Sequence, residues 1–175
     1  MKREVTATAP PGQERPAPGG GGANQPDRSL WLVCRAGRIL AALPIEHVVE
    51  TMRALPIERF AGAPQYVRGM SIIRGAPVPV VDVGLIVGGE ITRMARLVAI
   101  RAGTRTIALA VDEVLGINTI AAAALDRLSP LLHEAAAATV AALGTLDAEL
   151  LVVLHTGRLV PDEVFARLEA RGAAA

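Results

Sequence analysis

The sequence predicts a mostly β protein, an antiparallel barrel or sandwich, and three observations carry that prediction. Short apolar runs recur in pairs, each pair interrupted by turn-forming residues. Hydrophobic residues make up 51% of the chain but aromatic residues only 2%, so Val, Ile, Leu and Ala must fill the core. Helical periodicity, where it occurs, is confined to short segments.

In chain order, residues 30–35 and 38–43 flank Ala36-Gly37, which reads as a tight hairpin. After Pro44, the residues Ile45, Val48, Val49 and Met52 fall on one helical stripe and predict a short helix. Residues 64–69 are compact enough for a single turn. A second hairpin has arms 70–73 and 78–83 around Arg74-Gly75-Ala76-Pro77, and a third has arms 96–101 and 106–111 around Ala102-Gly103-Thr104. The alanine-rich stretches 121–128 and 134–142 are ambiguous, because alanine favours helix yet is common throughout the chain. Residues 150–154 and 158–160 flank His155-Thr156-Gly157 as a fourth hairpin. A final helix opens at Pro161-Asp162-Glu163 with acid in its first turn. It buries Val164, Phe165 and Leu168, and closes at Arg171-Gly172.

A length of 175 residues fits one domain or two small fused ones. Residues 1–28 read as a disordered tail: Pro10, Pro11, Pro16, Pro18 and the glycines 19–22 bring few apolar side chains to offset the entropy of ordering. Those glycines are followed by Ala23-Asn24, where a phosphate-binding loop needs Lys and then Ser or Thr. Met1-Lys2-Arg3-Glu4 leads into polar sequence unlike a signal peptide. No apolar stretch approaches the ~20 residues that span a bilayer. A cytoplasmic location is the expectation. Eighteen Lys+Arg against seventeen Asp+Glu leave a net charge of +1, which argues against a nucleic-acid binder working by bulk electrostatics.

Candidate chemistry is sparse. His47, His133 and His155 share no metal-ligand spacing, and the single cysteine, Cys34, reads as a buried mid-strand thiol rather than a nucleophile. Asp112 and Glu113 are adjacent, so on a strand they point to opposite faces and do not converge on one bond. Arg93, Arg96, Arg101 and Arg105 form the densest basic stretch, with no aromatic residue interleaved for stacking on bases. Asp82 lies in an apolar run, where it is expected to cap or accept backbone hydrogen bonds. Pro77 and Pro79 cannot donate ladder bonds and point to an edge or a bulge. No metal, cofactor or catalytic residue is expected.

One passage is distinctive. VRGMSIIRGAPVPVVDV, residues 67–83, resembles the signature of CheW-like domains, in which a V-x-G turn leads to a strand, an Arg-Gly turn and a P-V-V-D strand. TIALAVDEVLGINTI, residues 106–120, resembles the second barrel of that family, and Leu143-Gly144-Thr145-Leu146 followed by LLVVLHTGRLV resembles its closing hairpin. The resemblance implies two small five-stranded SH3-like β-barrels packed together, with short helices and a C-terminal helix. It assigns residues 29–170 to the CheW-like domain, with 1–28 as tail and 171–175 as the C-terminal end.

What the resemblance implies for function is a non-enzymatic chemotaxis scaffold. Such a protein couples the cytoplasmic tips of methyl-accepting chemoreceptors to the regulatory domain of a CheA-type histidine kinase, without inserting into the membrane or binding nucleic acid. Carried over by motif, the partner-binding positions are Val48, Glu50, Arg68, Gly69 and Arg74. Ala41, Ala108 and Ala142 stand where the family usually has glycine, Gly84 where it has Arg, and His155 where it favours Asp or Asn. These departures keep open a divergent adaptor or a competitor in a non-motility pathway. A ligand-binding β-barrel with an apolar pocket between its barrels also stays open; an interface closed by Val, Leu and Ile would count against it.

Overall fold

The computed structural model describes residues 28–59, 61–127 and 139–172. Among these residues, eleven strands form two sheets. The first contains β1 (Arg28–Ala36), β2 (Ile39–Pro44), β8 (Glu113–Ala121), β9 (Leu125–Arg127), β10 (Val140–Leu146) and β11 (Glu149–Leu154), in the order β8-β1-β2-β11-β10-β9. The second contains β3 (Val48–Arg53), β4 (Val67–Ile73), β5 (Ala76–Asp82), β6 (Arg96–Ala102) and β7 (Arg105–Val111), in the order β3-β6-β7-β5-β4. Neighbours pair antiparallel except β11 with β2 and β5 with β7, which are parallel. The second sheet is contiguous in sequence and interrupts the first.

Strand alternation explains why the two sheets stay together. Along β2, Leu40 and Ala42 belong to a cluster inside the first sheet, whereas Ala41 and Leu43 belong to a cluster shared by both sheets. Along β7, Ala108 and Ala110 face the inside of the second sheet, whereas Ile107, Leu109 and Val111 join the shared cluster. Both faces of these strands are therefore buried, which is why they read as unbroken apolar runs. Small residues fall mainly on the inner side, where the curl of each sheet leaves least room; Ala142 is there as well. Two short helices lie among the described residues, α1 (Val83–Val87) and α2 (Asp162–Gly172). Helix α2 buries Val164 and Phe165, and Arg105 of the second sheet reaches it, pairing with Asp162 at 2.9 Å and lying 4.5 Å above the Phe165 ring.

The architecture is the expected one, mostly β with two packed sheets and short helices. The first sheet has six strands where five were expected, and neither hydrogen-bonded ladder closes on itself among the described residues. Other expectations need correction. Residues 45–52 do not form a helix: Ile45–His47 make one 3₁₀ turn, and Val48 begins β3, which pairs with β6. The β-branched Val48, Val49 and Thr51 favour that outcome, with exposure alternating along the strand. The turn expected over 64–69 ends at Val67, whose amide donates to the Pro64 carbonyl. Residues 158–160 form no strand: β11 pairs with β10 and β2, and Leu159 and Val160 drop into the shared core.

Of the ambiguous stretches, residue 121 ends β8, Ala122–Ala124 make a 3₁₀ turn, and 125–127 form β9. Residues 140–142 belong to β10, while 128–138 lie outside the described residues, His133 among them. The expected tail also lies outside them, except Arg28, which opens β1.

A candidate partner-binding surface

Asp82 organises the ground beneath the surface. It ends β5, is fully buried, and caps α1 by accepting from the Leu85 amide at 3.2 Å. Its carboxylate also accepts from the Thr92 amide at 3.2 Å and the Thr92 hydroxyl at 3.1 Å. A guanidinium N–H of Arg68 completes the set at 3.0 Å. The expected capping role of Asp82 is what the structure shows, and every acceptor direction of this buried carboxylate is used. Gly84 makes the arrangement possible: a Cβ there would collide with the Glu90 carbonyl, so only glycine lets the segment carrying Thr92 fold back onto α1.

Arg68 and Gly69 sit at a bulge in β4, where the register against β5 shifts between Val67 and Gly69. Glu58 exchanges backbone hydrogen bonds with Met70 beside it, at 2.8 and 2.9 Å, and its carbonyl lies against the Gly69 Cα. The V-x-G element is thus a bulge rather than a turn. Nor is β5 an edge strand. Pro77 and Pro79 lie in the half of it that pairs with β4 alone, since the ladder to β7 begins at Val80, so their missing N–H groups interrupt nothing.

The exposed part of the surface is built by Glu50 and Arg74. Arg74 and Gly75 form the two-residue loop of the β4–β5 hairpin, with φ of 52° and 81°. Positive φ at both positions matches the twist of the flanking strands. From there the Arg74 guanidinium donates from Nε and Nη2 to the two Glu50 carboxylate oxygens, at 2.6 and 2.9 Å. That hydrogen bond holds the Glu50 carboxyl below its ordinary range, against a smaller opposing effect of desolvation, and raises the Arg74 guanidinium. Both are charged at neutral pH.

The structure therefore brings Glu50 and Arg74 together and sets Arg68 and Gly69 into the Asp82 network. Val48, at the start of β3, is half-buried against the shared core. Two neighbours were missed in the sequence: Val49, 48% exposed, beside Glu50, and Ile72, 64% exposed, two residues before Arg74. Strict alternation along β4, with Ser71 and Ile73 buried, was the available signal for Ile72. On the first sheet, Leu30, Leu115 and Ile117 are exposed on the β1–β8 edge.

The remaining candidates stand apart from this surface. Burial pushes the Cys34 thiol up to about 12, so it stays protonated and unreactive. The His47 ring Nδ1 and the Thr156 hydroxyl are 2.7 Å apart, linking two 3₁₀ turns, and His155 is exposed. Asp112 accepts from the amides of Gly37 at 2.7 Å and Arg93 at 2.5 Å. Among the described residues no three His, Cys, Asp or Glu side chains converge on a metal site. Val98, Ile100, Ile107 and Leu109 close the space between the sheets, each with no exposed surface, which counts against a ligand pocket there. Among the described residues no helix is long and apolar enough to cross a membrane.

A domain of two curled sheets that displays an ion pair at its surface, with exposed Val49 and Ile72 close to its two members in sequence, has the build of a scaffold or adaptor. The CheW-like domain family model matches residues 30–164, and the chain belongs to that family, whose setting is chemotaxis signal transduction. No curated protein matches it. Among solved structures, the scaffolding protein TtCheW from Thermoanaerobacter tengcongensis is similar at a TM-score of 0.64 and 18% identity. The match covers 76% of this chain and 97% of that one.

Proposed function

We propose that this protein is a non-catalytic cytoplasmic coupler, joining the tips of chemoreceptors in membrane-bound arrays to the regulatory domain of a CheA-type histidine kinase. Residues 29–170, together with Arg28 that opens β1, carry the coupling domain. The observation that carries the reading is the Glu50–Arg74 pair, displayed beside exposed Val49 and Ile72 on a domain of the CheW-like family. Apolar side chains supply contact area for a receptor helix, and the two charges set its orientation. Val48 backs the strand that displays Glu50, while Arg68 and Gly69 fix the hairpin that displays Arg74. Individually weak contacts suffice, because an array engages many at once.

The test is a binding titration of the chain against the kinase regulatory domain and a receptor-tip fragment, each with wild type and Arg74→Glu. Binding to both, with only receptor binding weakened by Arg74→Glu, supports the two-sided coupler. Binding to neither overturns it. A second reading, a competitor that occupies the kinase without activating it, is favoured by Gly84. The close approach of the Glu90 carbonyl removes the Arg that the family displays at this position. Kinase binding with loss of kinase activation would select that reading.

A further inference from the structure

At the open end of β3, Arg53 stands directly opposite Arg96 of β6, and both side chains are exposed. It is the one directly opposed pair of like charges in the described ladders; the other charged pair in register, Arg35 with Glu113, is of opposite sign. Like charges placed across a ladder destabilise a sheet. Elsewhere the fold supplies counter-charges, pairing Arg35 with Glu149, Arg68 with Asp82, Arg74 with Glu50 and Arg105 with Asp162. At this place it supplies none among the described residues: Arg96 donates only to the carbonyl of its neighbour Ala95, at 3.3 Å.

The pair lies on the face of β6 that also carries Val98 and Ile100, at the end of the seam between the sheets. Ala95 lines an adjoining crevice of about 490 Å³ with Arg35, Arg38, Arg93, Asp112 and Glu113. There Arg35 is held by Glu149, and Asp112 accepts from two backbone amides. Arg38 and Arg93 extend the row with exposed guanidinium groups that have no ion-pair partner among the described residues.

We propose that Arg53 and Arg96, continued by Arg93 and Arg38, form a docking surface for an acidic segment of a partner polypeptide, one carboxylate bridging Arg53 and Arg96. Asp112 and Glu113 interrupt the row. They would repel a continuous line of phosphates, whereas a peptide can place single carboxylates between them. The cross-strand repulsion, unfavourable in the free protein, is relieved on binding. This surface is separate from Glu50 and Arg74, and the proposal does not rest on the coupling role.

The test is fluorescence anisotropy of a labelled glutamate-rich peptide with the full chain at low ionic strength. A glutamine counterpart, an oligonucleotide and phosphatidylserine vesicles form the other arms. The glutamate peptide is expected to bind and the glutamine peptide not. Arg53→Glu and Arg96→Glu should each weaken binding about tenfold. Arg101→Glu, exposed at the far end of β6 opposite Thr106, should leave it unchanged. Arg53→Glu should also keep or raise the melting temperature, because it turns the like-charged pair into an opposite one. Equal losses in Arg101→Glu, no preference for glutamate, tighter binding to vesicles or oligonucleotide, or a lowered melting temperature in Arg53→Glu would each overturn the proposal.

Discussion

Arg74 grips both carboxylate oxygens of Glu50, and in doing so ties together the two edges of one sheet. Glu50 is on β3 and Arg74 on the hairpin loop of β4, the strands at opposite ends of the five-stranded ladder. The contact thus spans the side that backbone hydrogen bonds leave open. Its contribution is pH-dependent with a definite sign. The Glu50 carboxyl is held low in the folded state, chiefly by its hydrogen bond from Arg74. The stabilisation is therefore present above the ordinary glutamate value of about 4.3 and disappears as pH falls through the lower folded value. Wild type should melt above Glu50→Gln at neutral pH, with the gap closing in acid. With Arg74 77% exposed, the gap should be small and should shrink in salt. A gap that is constant with pH would contradict this account.

Gly69 and Gly75 both have positive φ but differ in their surroundings. A Cβ on Gly69 would collide with the Glu58 carbonyl and the Ile57 side chain, whereas one on Gly75 meets nothing. Gly75→Ala should cost about 1 kcal/mol, the conformational term alone. Gly69→Ala should cost roughly 3 kcal/mol or more, since backbone must also move. Denaturant unfolding of the two variants decides it, and similar costs would mean that the bulge relaxes freely.

What was legible in the sequence follows the same division between local and long-range causes. Three hairpins could be read because alternation and turn chemistry are local, as was the burial of Cys34 and the capping role of Asp82. The segment after Pro44 misled because Ile45, Val48 and Met52 are packed inward by both a helix and a bent strand; pairing with β6, some fifty residues away, decides between them. The last hairpin misled because both partners of β11, β10 and β2, come before it in the chain, and among the described residues no strand follows the expected turn. Helix α1 is five residues long, too short for periodicity, and its one local sign is the capping Asp82. The pairing of Glu50 with Arg74 had no local sign, since the residues meet only when the sheet curls.

The β10–β11 hairpin turns through Asp147 and Ala148, with φ of 51° and 64°. Asp tolerates this region, but the methyl of alanine is disfavoured there by about 1 kcal/mol. Ala148→Gly removes that penalty and adds some unfolded-state entropy, for a net gain of up to about 1 kcal/mol. A rise in melting temperature of roughly 2–4 °C is expected for a chain of this size. Ala142→Gly serves as the contrast: that site lies within β10 and has no positive φ to relieve, so the substitution should lower the melting temperature.

Asp82 and Arg68 should behave as a coupled pair. Removing the carboxylate in Asp82→Ala strands a largely buried guanidinium, 17% exposed, together with the buried Thr92 amide and hydroxyl. Loss of one member of such a pair costs about 3–5 kcal/mol. In an Arg68→Met background the same substitution should cost less, because no orphaned charge remains, and a double-mutant cycle in denaturant measures the difference. Equal costs in both backgrounds would show that the ion pair is incidental and that Thr92 and the α1 cap account for the whole effect. The cycle also separates two roles for Arg68. If Arg68→Met lowers stability yet leaves receptor-tip binding unchanged, Arg68 serves the surface by holding Asp82 and the hairpin, and Arg74 alone of the two arginines meets the partner.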